Sequence, residues 1–176
     1  MDATLQERAM AISLLVLDVD GVLTDGKLYF DQDGNELQSF NTRDGLGLKA
    51  LQRCGIEIAI LSGRMSAAVT HRMAQLEIEH VYQGRENKLD AFMQLLKLTA
   101  IDAQQVCYVG DDWIDLPVLL RAGLAVSVAD ADELVKEQVH WVTQRKGGDG
   151  AVREICNLIL TAKGKDQTIL NEILAS

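Results

Sequence analysis

The stretch Leu14-Leu15-Val16-Leu17-Asp18-Val19-Asp20-Gly21-Val22-Leu23-Thr24 decides how this chain folds. It opens with a short continuous apolar run, the mark of a strand buried on both faces of a parallel sheet. It ends in two carboxylates, a glycine and a threonine. Side chains alternate along a strand, so Asp18 and Asp20 emerge near one another where the chain leaves the carboxyl edge of the sheet. Open α/β sheets bind their ligands at that edge. Taken alone, an Asp-x-Asp after an apolar run is an ordinary strand end. Thr24 and three later segments give it a further meaning.

Downstream, apolar pairs on either side of Asp31-Gln32-Asp33-Gly34-Asn35-Glu36 predict a β-hairpin over about 27–40, projecting from the sheet. Tyr29 and Phe40 give it apolar surface to bury against the body or another copy. A helix is expected over 44–54, ended by Gly55, and a buried strand over 56–61 that runs into Ser62-Gly63-Arg64. A helix at 66–76, a strand at 80–82 and a helix at 88–98 follow. The strand 106–110 then delivers Asp111-Asp112-Trp113-Ile114-Asp115. A strand at 124–128, a helix at 132–138 and an edge strand at 141–143 complete the alternation. Gly147-Gly148-Asp149-Gly150 reads as a flexible turn before a last helix at 151–162, and a polar tail follows from about 163 to 176. Strictly alternating strands and helices predict an α/β fold, a single Rossmann-like three-layer domain over 1–176 with a parallel sheet and helices on both faces.

With 48% hydrophobic residues, the 176-residue chain has enough apolar side chains for one well-buried core. Its formal charge of -9 disfavours general affinity for nucleic acid or anionic lipid. Cys54, Cys107 and Cys156 are odd in number and widely spaced, which argues against a disulfide frame or a thiolate zinc site. No basic start leads into a long apolar segment, so neither a signal peptide nor a membrane span is indicated and a cytoplasmic location is expected. His71, His80 and His140 read as structural.

Four strand ends carry polar groups: Asp18 with Asp20, Ser62, the Lys88 region, and Asp111 with Asp112 and Asp115. A parallel sheet brings these ends to one edge. Carboxylates gathered there repel one another unless a divalent cation sits among them, and oxygen-only ligation favours Mg²⁺. Ser62 is suited to hydrogen-bond a phosphoryl oxygen and Lys88 to neutralise one.

Asp18-Val19-Asp20-Gly21-Val22-Leu23-Thr24, Ser62, Lys88 and Gly110-Asp111-Asp112 with Asp115 occur in the order of the four motifs of the haloacid dehalogenase phosphatases, which the chain resembles. The resemblance implies that Asp18 attacks phosphorus and that Asp20 acts as acid and then base. It implies that Mg²⁺ is held by the carboxylates of Asp18 and Asp111 and the backbone carbonyl of Asp20. Asp115 and Asp112 would support from behind, Ser62 and Lys88 would grip the phosphoryl group, and Thr24 would orient Asp20. Ile114 departs from the usual pattern, in which Asn often precedes the final Asp.

The gaps between motifs leave room only for the hairpin and single helices, so the hairpin stands in place of a cap domain. With Thr24-Asp25-Gly26, Phe40-Asn41-Thr42-Arg43-Asp44-Gly45, Leu61-Ser62-Gly63-Arg64 and Gly147 to Glu154, the chain resembles the 3-deoxy-D-manno-octulosonate 8-phosphate phosphatases from about residue 12 to 164. That implies a keto-sugar acid phosphate substrate, a step in lipopolysaccharide synthesis, and a homotetramer whose neighbouring subunits complete each site. The matching substrate segment is Asn41, Thr42, Arg43, Asp44 and Gly45, with Lys49 a weaker addition. Arg suits a carboxylate in two-point fashion. If Arg64 and Arg72 shared one helix they would be roughly 12 Å apart along its axis and could not grip one small group. Arg64 is placed beside the sugar acid, and Arg72 at the far end of the ligand or in a neighbour's site. The resemblance leaves the tail either folded over a neighbouring site or disordered.

Two alternatives remain open at this level. One is a phosphatase of another keto-sugar acid phosphate, such as a nonulosonate 9-phosphate. The other is a phospho-receiver signalling domain, although there the acidic pair comes first and the phosphoacceptor later.

Overall fold

The computed structural model describes residues 3–175. Six parallel strands form one sheet: β1 (Leu14–Leu17), β4 (Glu57–Leu61), β5 (His80–Tyr82), β6 (Val106–Gly110), β7 (Leu124–Ser127) and β8 (Trp141–Val142). Their spatial order is β5-β4-β1-β6-β7-β8. The chain therefore builds outward from β1 on one side, then crosses to build outward on the other. Such a reversal opens a crevice at the carboxyl ends of the strands on either side of it, here β1 and β6.

Period-two alternation divides the core between the two faces. Leu15 and Leu17 pack with Ile58, Ile60, Cys107 and Val109 beneath α1 (Ala3–Ala11), α2 (Thr42–Arg53), α3 (Ala67–Gln75) and α7 (Ala151–Ala162). Leu14 and Val16 pack with Ala59, Leu61, Val106 and Tyr108 against α4 (Lys88–Thr99), α5 (Leu116–Leu119) and α6 (Glu133–Lys136). Both faces are covered, so the expected three layers are present.

Register fixes the site. Leu17 pairs with Ile60 on one side and Val109 on the other, so Asp18, Ser62 and Asp111 leave the sheet at nearly one level. Side-chain caps set where the helices begin. Asn41 accepts from the Arg43 backbone N–H at 2.9 Å, which starts α2 two residues earlier than the hydrophobic spacing suggests. Asn87 accepts from Asp90 N–H and starts α4 at Lys88.

The hairpin consists of β2 (Tyr29–Phe30) and β3 (Glu36–Leu37), antiparallel and shorter than expected. Asp31 organises its turn by accepting from the backbone of Asp33 and Asn35 and from the Asn35 amide. Leu28, Tyr29, Phe30 and Leu37 are exposed, whereas Phe40 packs on the main core.

One open question is answered and one expectation needs correction. The tail is ordered: α8 (Asp166–Ala175) buries Ile169 and, with α2 and α7, lines an apolar groove. Arg64 is not helical, because α3 begins only at Ala67, so the 12 Å spacing argued for Arg64 and Arg72 does not apply. Among the described residues no helix is long and apolar enough to cross a membrane.

Candidate active site

Asp18 is the first residue beyond β1. Its N–H donates to the Val109 carbonyl at 3.0 Å, its Oδ1 accepts from Val19 N–H at 2.7 Å, and its Oδ2 faces Lys88 Nζ at 2.8 Å. The loop that follows is closed by Thr24, whose hydroxyl accepts from Gly21 and Gly26 N–H and donates to the Val19 carbonyl. Thr24 therefore shapes the backbone and does not bond the Asp20 carboxylate. Gly21 has φ +88, and a Cβ there would overlap the Asp111 carboxylate, so glycine is what lets the two acidic segments approach.

The glycine run at 147–150 is the expected turn, but it is braced and not flexible. A Cβ on Gly147 would overlap the Gly21 carbonyl oxygen, and one on Gly148 would stand 2.6 Å from the Thr24 carbonyl carbon. Gly148 N–H donates to the Val22 carbonyl at 3.1 Å, and Gly147 N–H to Asp130 at 3.0 Å. The run is a wedge under the loop that carries Asp20.

Lys88, at the first turn of α4, is only 2% exposed and bridges Asp18 to Asp115, with Nζ 2.6 Å from Asp115 Oδ1. Tyr108 donates its hydroxyl to the same Asp115 oxygen at 2.6 Å. The other Asp115 oxygen accepts from the backbone N–H of Asp111 at 3.1 Å and of Asp112 at 3.3 Å. Asp115 is thus saturated by protein donors. Asp111 is not: its Oδ1 is buried without a partner.

The electrostatics follow from this crowding. Burial, with the nearby Asp115 charge, pushes the Asp18 carboxyl from 3.8 to about 7 even against the pull of Lys88. Burial, with Asp18 and Asp115, pushes Asp111 to about 8. Burial alone would depress Lys88, but the two carboxylates outweigh it and its pKa stands above 10.5. Asp18, Asp111 and Asp115 each place a carboxylate oxygen within 4.8 Å of the others. A hard divalent cation fits this donor set: it supplies the missing positive charge and a partner for Asp111 Oδ1. Asp18 and Asp111 would hold it, since the lone pairs of Asp115 are already taken.

Asp18, Asp20, Arg64, Lys88, Asp111 and Asp112 line an open cleft of about 350 Å³, to which Leu28 and Ile114 add apolar surface. Asp20 Oδ1 accepts from Gln38 Nε2 at 3.0 Å and stands 3.8 Å from Arg64 Nη1. Arg64 is drawn further toward Glu36 of the hairpin, at 2.6 Å. Ser62 is buried at the end of β4, and its Oγ accepts from Arg64 N–H at 3.2 Å.

The remaining sequence candidates fall outside this cleft. Asn41 caps α2 and donates to the Gly148 carbonyl, and Thr42 begins the helix. Asp44 is buried and accepts from Arg153 N–H at 2.7 Å, which caps α7 from another helix. Arg43 faces outward beside Arg145 and Arg153. Arg72 packs over Gly45 and bonds Gln75, and Lys49 pairs with Glu77. Of the three histidines, His140 accepts from Ala125 N–H, and His80 faces Glu57.

Tyr108 and Gln38 belong to the site, although the sequence patterns did not single them out. A tyrosine in the buried Val106-Cys107-Tyr108-Val109-Gly110 run was a readable signal, since a buried hydroxyl needs a partner. Gln38 gave no such signal.

A parallel sheet bearing an Asp nucleophile candidate, a buried lysine and an acidic cation site at one edge defines a hydrolase of the haloacid dehalogenase class. The family model for haloacid dehalogenase-like hydrolases matches residues 80–155. The 3-deoxy-D-manno-octulosonate 8-phosphate phosphatase KdsC of Escherichia coli K12 is 51% identical over 158 residues, covering 90% of this chain and 84% of that protein. The crystal structure of a probable yrbi family phosphatase from Pseudomonas syringae superposes with TM-score 0.95 at 48% identity, covering 97% of each chain. That of the Moraxella catarrhalis 3-deoxy-D-manno-octulosonate 8-phosphate phosphatase, in complex with magnesium ion, phosphate ion and a KDO molecule, gives 0.96 at 38% identity, covering 98% of this chain and 99% of that one. The chain belongs to the haloacid dehalogenase-like hydrolases, in the branch of the 3-deoxy-D-manno-octulosonate 8-phosphate phosphatases.

Proposed function

We propose that this chain hydrolyses 3-deoxy-D-manno-octulosonate 8-phosphate to the free sugar acid and phosphate, with Mg²⁺, at a step of lipopolysaccharide synthesis in the cytoplasm. The observation that carries the proposal is Asp111 Oδ1, buried and unpartnered beside the Asp18–Lys88 pair. Such an atom calls for a cation, and the cation calls for an anionic substrate at the same place.

In this reading an Asp18 carboxylate oxygen attacks phosphorus in line, an aspartyl-phosphate bond forms, and the bond from phosphorus to the sugar oxygen breaks. Asp20 gives its proton to the departing alkoxide. It then takes a proton from water, whose oxygen attacks phosphorus and frees Asp18 as carboxylate. Ser62 and Lys88 hold the phosphoryl oxygens, while Asp115, with Tyr108 and the Asp111 and Asp112 amides behind it, keeps Lys88 in place. Asp18, Asp111 and the Asp20 carbonyl would hold the magnesium, which would supply charge neutralisation at the phosphoryl group.

Lys88 and Arg64 are the cations that line the cleft, and a sugar acid phosphate presents two anionic ends for them. Arg64 meets the carboxylate. The exposed Leu28, Phe30 and Leu37 of the hairpin support assembly into a homotetramer. Exposed Arg43, outside the cleft of its own chain, and Arg72 would then be free to serve a neighbouring subunit's substrate, whereas Asn41 and buried Asp44 hold helix starts in their own subunit.

The test is phosphate release from 3-deoxy-D-manno-octulosonate 8-phosphate and from a nonulosonate 9-phosphate, with and without Mg²⁺, by the parent and Asp18→Asn. Mg²⁺-dependent preference for the former, lost in Asp18→Asn by at least about a thousand-fold, is the expected result. Equal or reversed preference defeats the substrate assignment. Turnover by Asp18→Asn defeats the mechanism.

A further inference from the structure

The proposed acid and base, Asp20, has its carboxylate held by the hairpin and not by the strands that carry the other reacting groups. Its Oδ1 accepts from Gln38 Nε2 at 3.0 Å, whereas the nearest Arg64 nitrogen is 3.8 Å away and is drawn off by Glu36. Gln38 is itself anchored: its Oε1 accepts from Ser66 Oγ at 2.9 Å. Ser66 lies just before α3, and its backbone N–H donates to Gln83 Oε1 at 2.7 Å. Gln83 in turn donates to Thr70 Oγ1 at 2.9 Å. Asp20 Oδ1 only accepts, so the donor end of the Gln38 amide is the one turned toward it, and the serine hydroxyl donates to the oxygen end that remains.

We propose that Gln38 is a positioning residue, clamped by Ser66, that holds the Asp20 carboxyl in the orientation from which it exchanges a proton with the reacting oxygens. An amide donates here and removes no proton, so it occupies Oδ1 and leaves Oδ2 as the oxygen that serves the cleft. The inference rests on the role of Asp20 in the proposed function. Small misplacements of a reacting group are costly: about 1 Å can lower a rate by on the order of a hundred-fold.

The test compares first-turnover rates of the full chain with Mg²⁺ on two esters, in the parent, Gln38→Ala and Ser66→Ala. The sugar acid phosphate releases a basic alkoxide that needs a proton. p-Nitrophenyl phosphate releases a phenolate that departs without one. Gln38→Ala is expected to lose about ten-fold or more on the sugar phosphate, within the range that general acid catalysis contributes, and under about three-fold on the aryl ester. With the aryl ester it also shows a burst of nitrophenolate followed by slow turnover, because the water step still requires Asp20. Ser66→Ala, which leaves the hairpin sequence intact, shows the same split with smaller losses. Equal losses on both esters, or a rise in KM alone, overturn the positioning role while leaving the phosphatase reading in place. A parent that releases phosphate from neither ester overturns both.

Discussion

Lys88 and Asp18 face each other at 2.8 Å across the carboxyl edge of the sheet, and the same ammonium lies 2.6 Å from Asp115. One buried cation thus joins the nucleophile candidate to the residue that supports the acidic loop. Replacing Lys88 by Met leaves two buried carboxylates without their counter-charge. Removing one partner of such a buried pair costs about 3–5 kcal/mol, and loss of a phosphoryl-binding cation lowers kcat by about a hundred-fold or more. Urea unfolding without metal, paired with phosphate release at saturating Mg²⁺, measures the two losses separately.

The raised carboxyls set a pH dependence with a definite sign. In metal-free protein Asp18 at about 7 and Asp111 at about 8 keep protons that the unfolded chain, with a value of 3.8, has already released. The native state binds the extra protons, so stability falls as pH rises from about 4 to about 8. In EDTA, Tm is therefore higher near about pH 5.5 than near about pH 8, and Asp111→Asn flattens the slope. Mg²⁺ binds the ionised carboxylates and raises Tm most at the alkaline end. A Tm in EDTA that climbs over this interval contradicts the account.

Gly147→Ala places a methyl against the Gly21 carbonyl oxygen, a backbone atom that moves only with the loop carrying Asp20. Overpacking of this kind costs about 1–3 kcal/mol, and the displaced loop lowers kcat further. Gly34→Ala serves as comparison, since nothing lies near that position, although its φ of +81 still carries backbone strain. Thermal unfolding and turnover of the two variants separate strain alone from loss of the wedge.

Asp44 lies in the segment matched to substrate binding, yet it is 1% exposed and caps α7 through Arg153 N–H. Asp44→Ala is expected to cost about 1–2 kcal/mol of stability, as loss of a side-chain cap does, and Asp44→Asn less. KM for the sugar acid phosphate should stay near the parent value in Asp44→Asn. A large rise in KM with Tm unchanged would return Asp44 to the substrate.

Much of this architecture can be read from the chain because the signals are local. The apolar run Leu14–Leu17 followed by Asp18 announces a buried strand with a polar exit, and the Val106–Gly110 run announces its neighbour. Parallel pairing then brings Asp18 and Asp111 together with no further information. What escapes is whatever depends on contact between distant segments. The turn at 147–150 is legible but its bracing is not, because its partners, Gly21 and Thr24, lie near the other end of the sequence. The way Thr24 acts on the Asp20 loop, through its backbone, is also hidden, because spacing alone does not tell a hydroxyl that bonds backbone from one that bonds a carboxylate. The apolar group at Ile169 to Leu174 stands out in the polar tail, but where it docks does not, because the surface that orders Ile169 belongs to other helices.

That wedge has a consequence for how the molecule comes into being. During synthesis the nucleophile segment leaves the ribosome early, but the glycines that brace it emerge only when most of the polypeptide already exists. A nascent chain that stops short of them has every reacting group and no firm seat for the loop that bears two of them. Competence to open so inert a bond as that of a phosphate monoester is therefore expected to arrive late, with the segment that begins at Gly147.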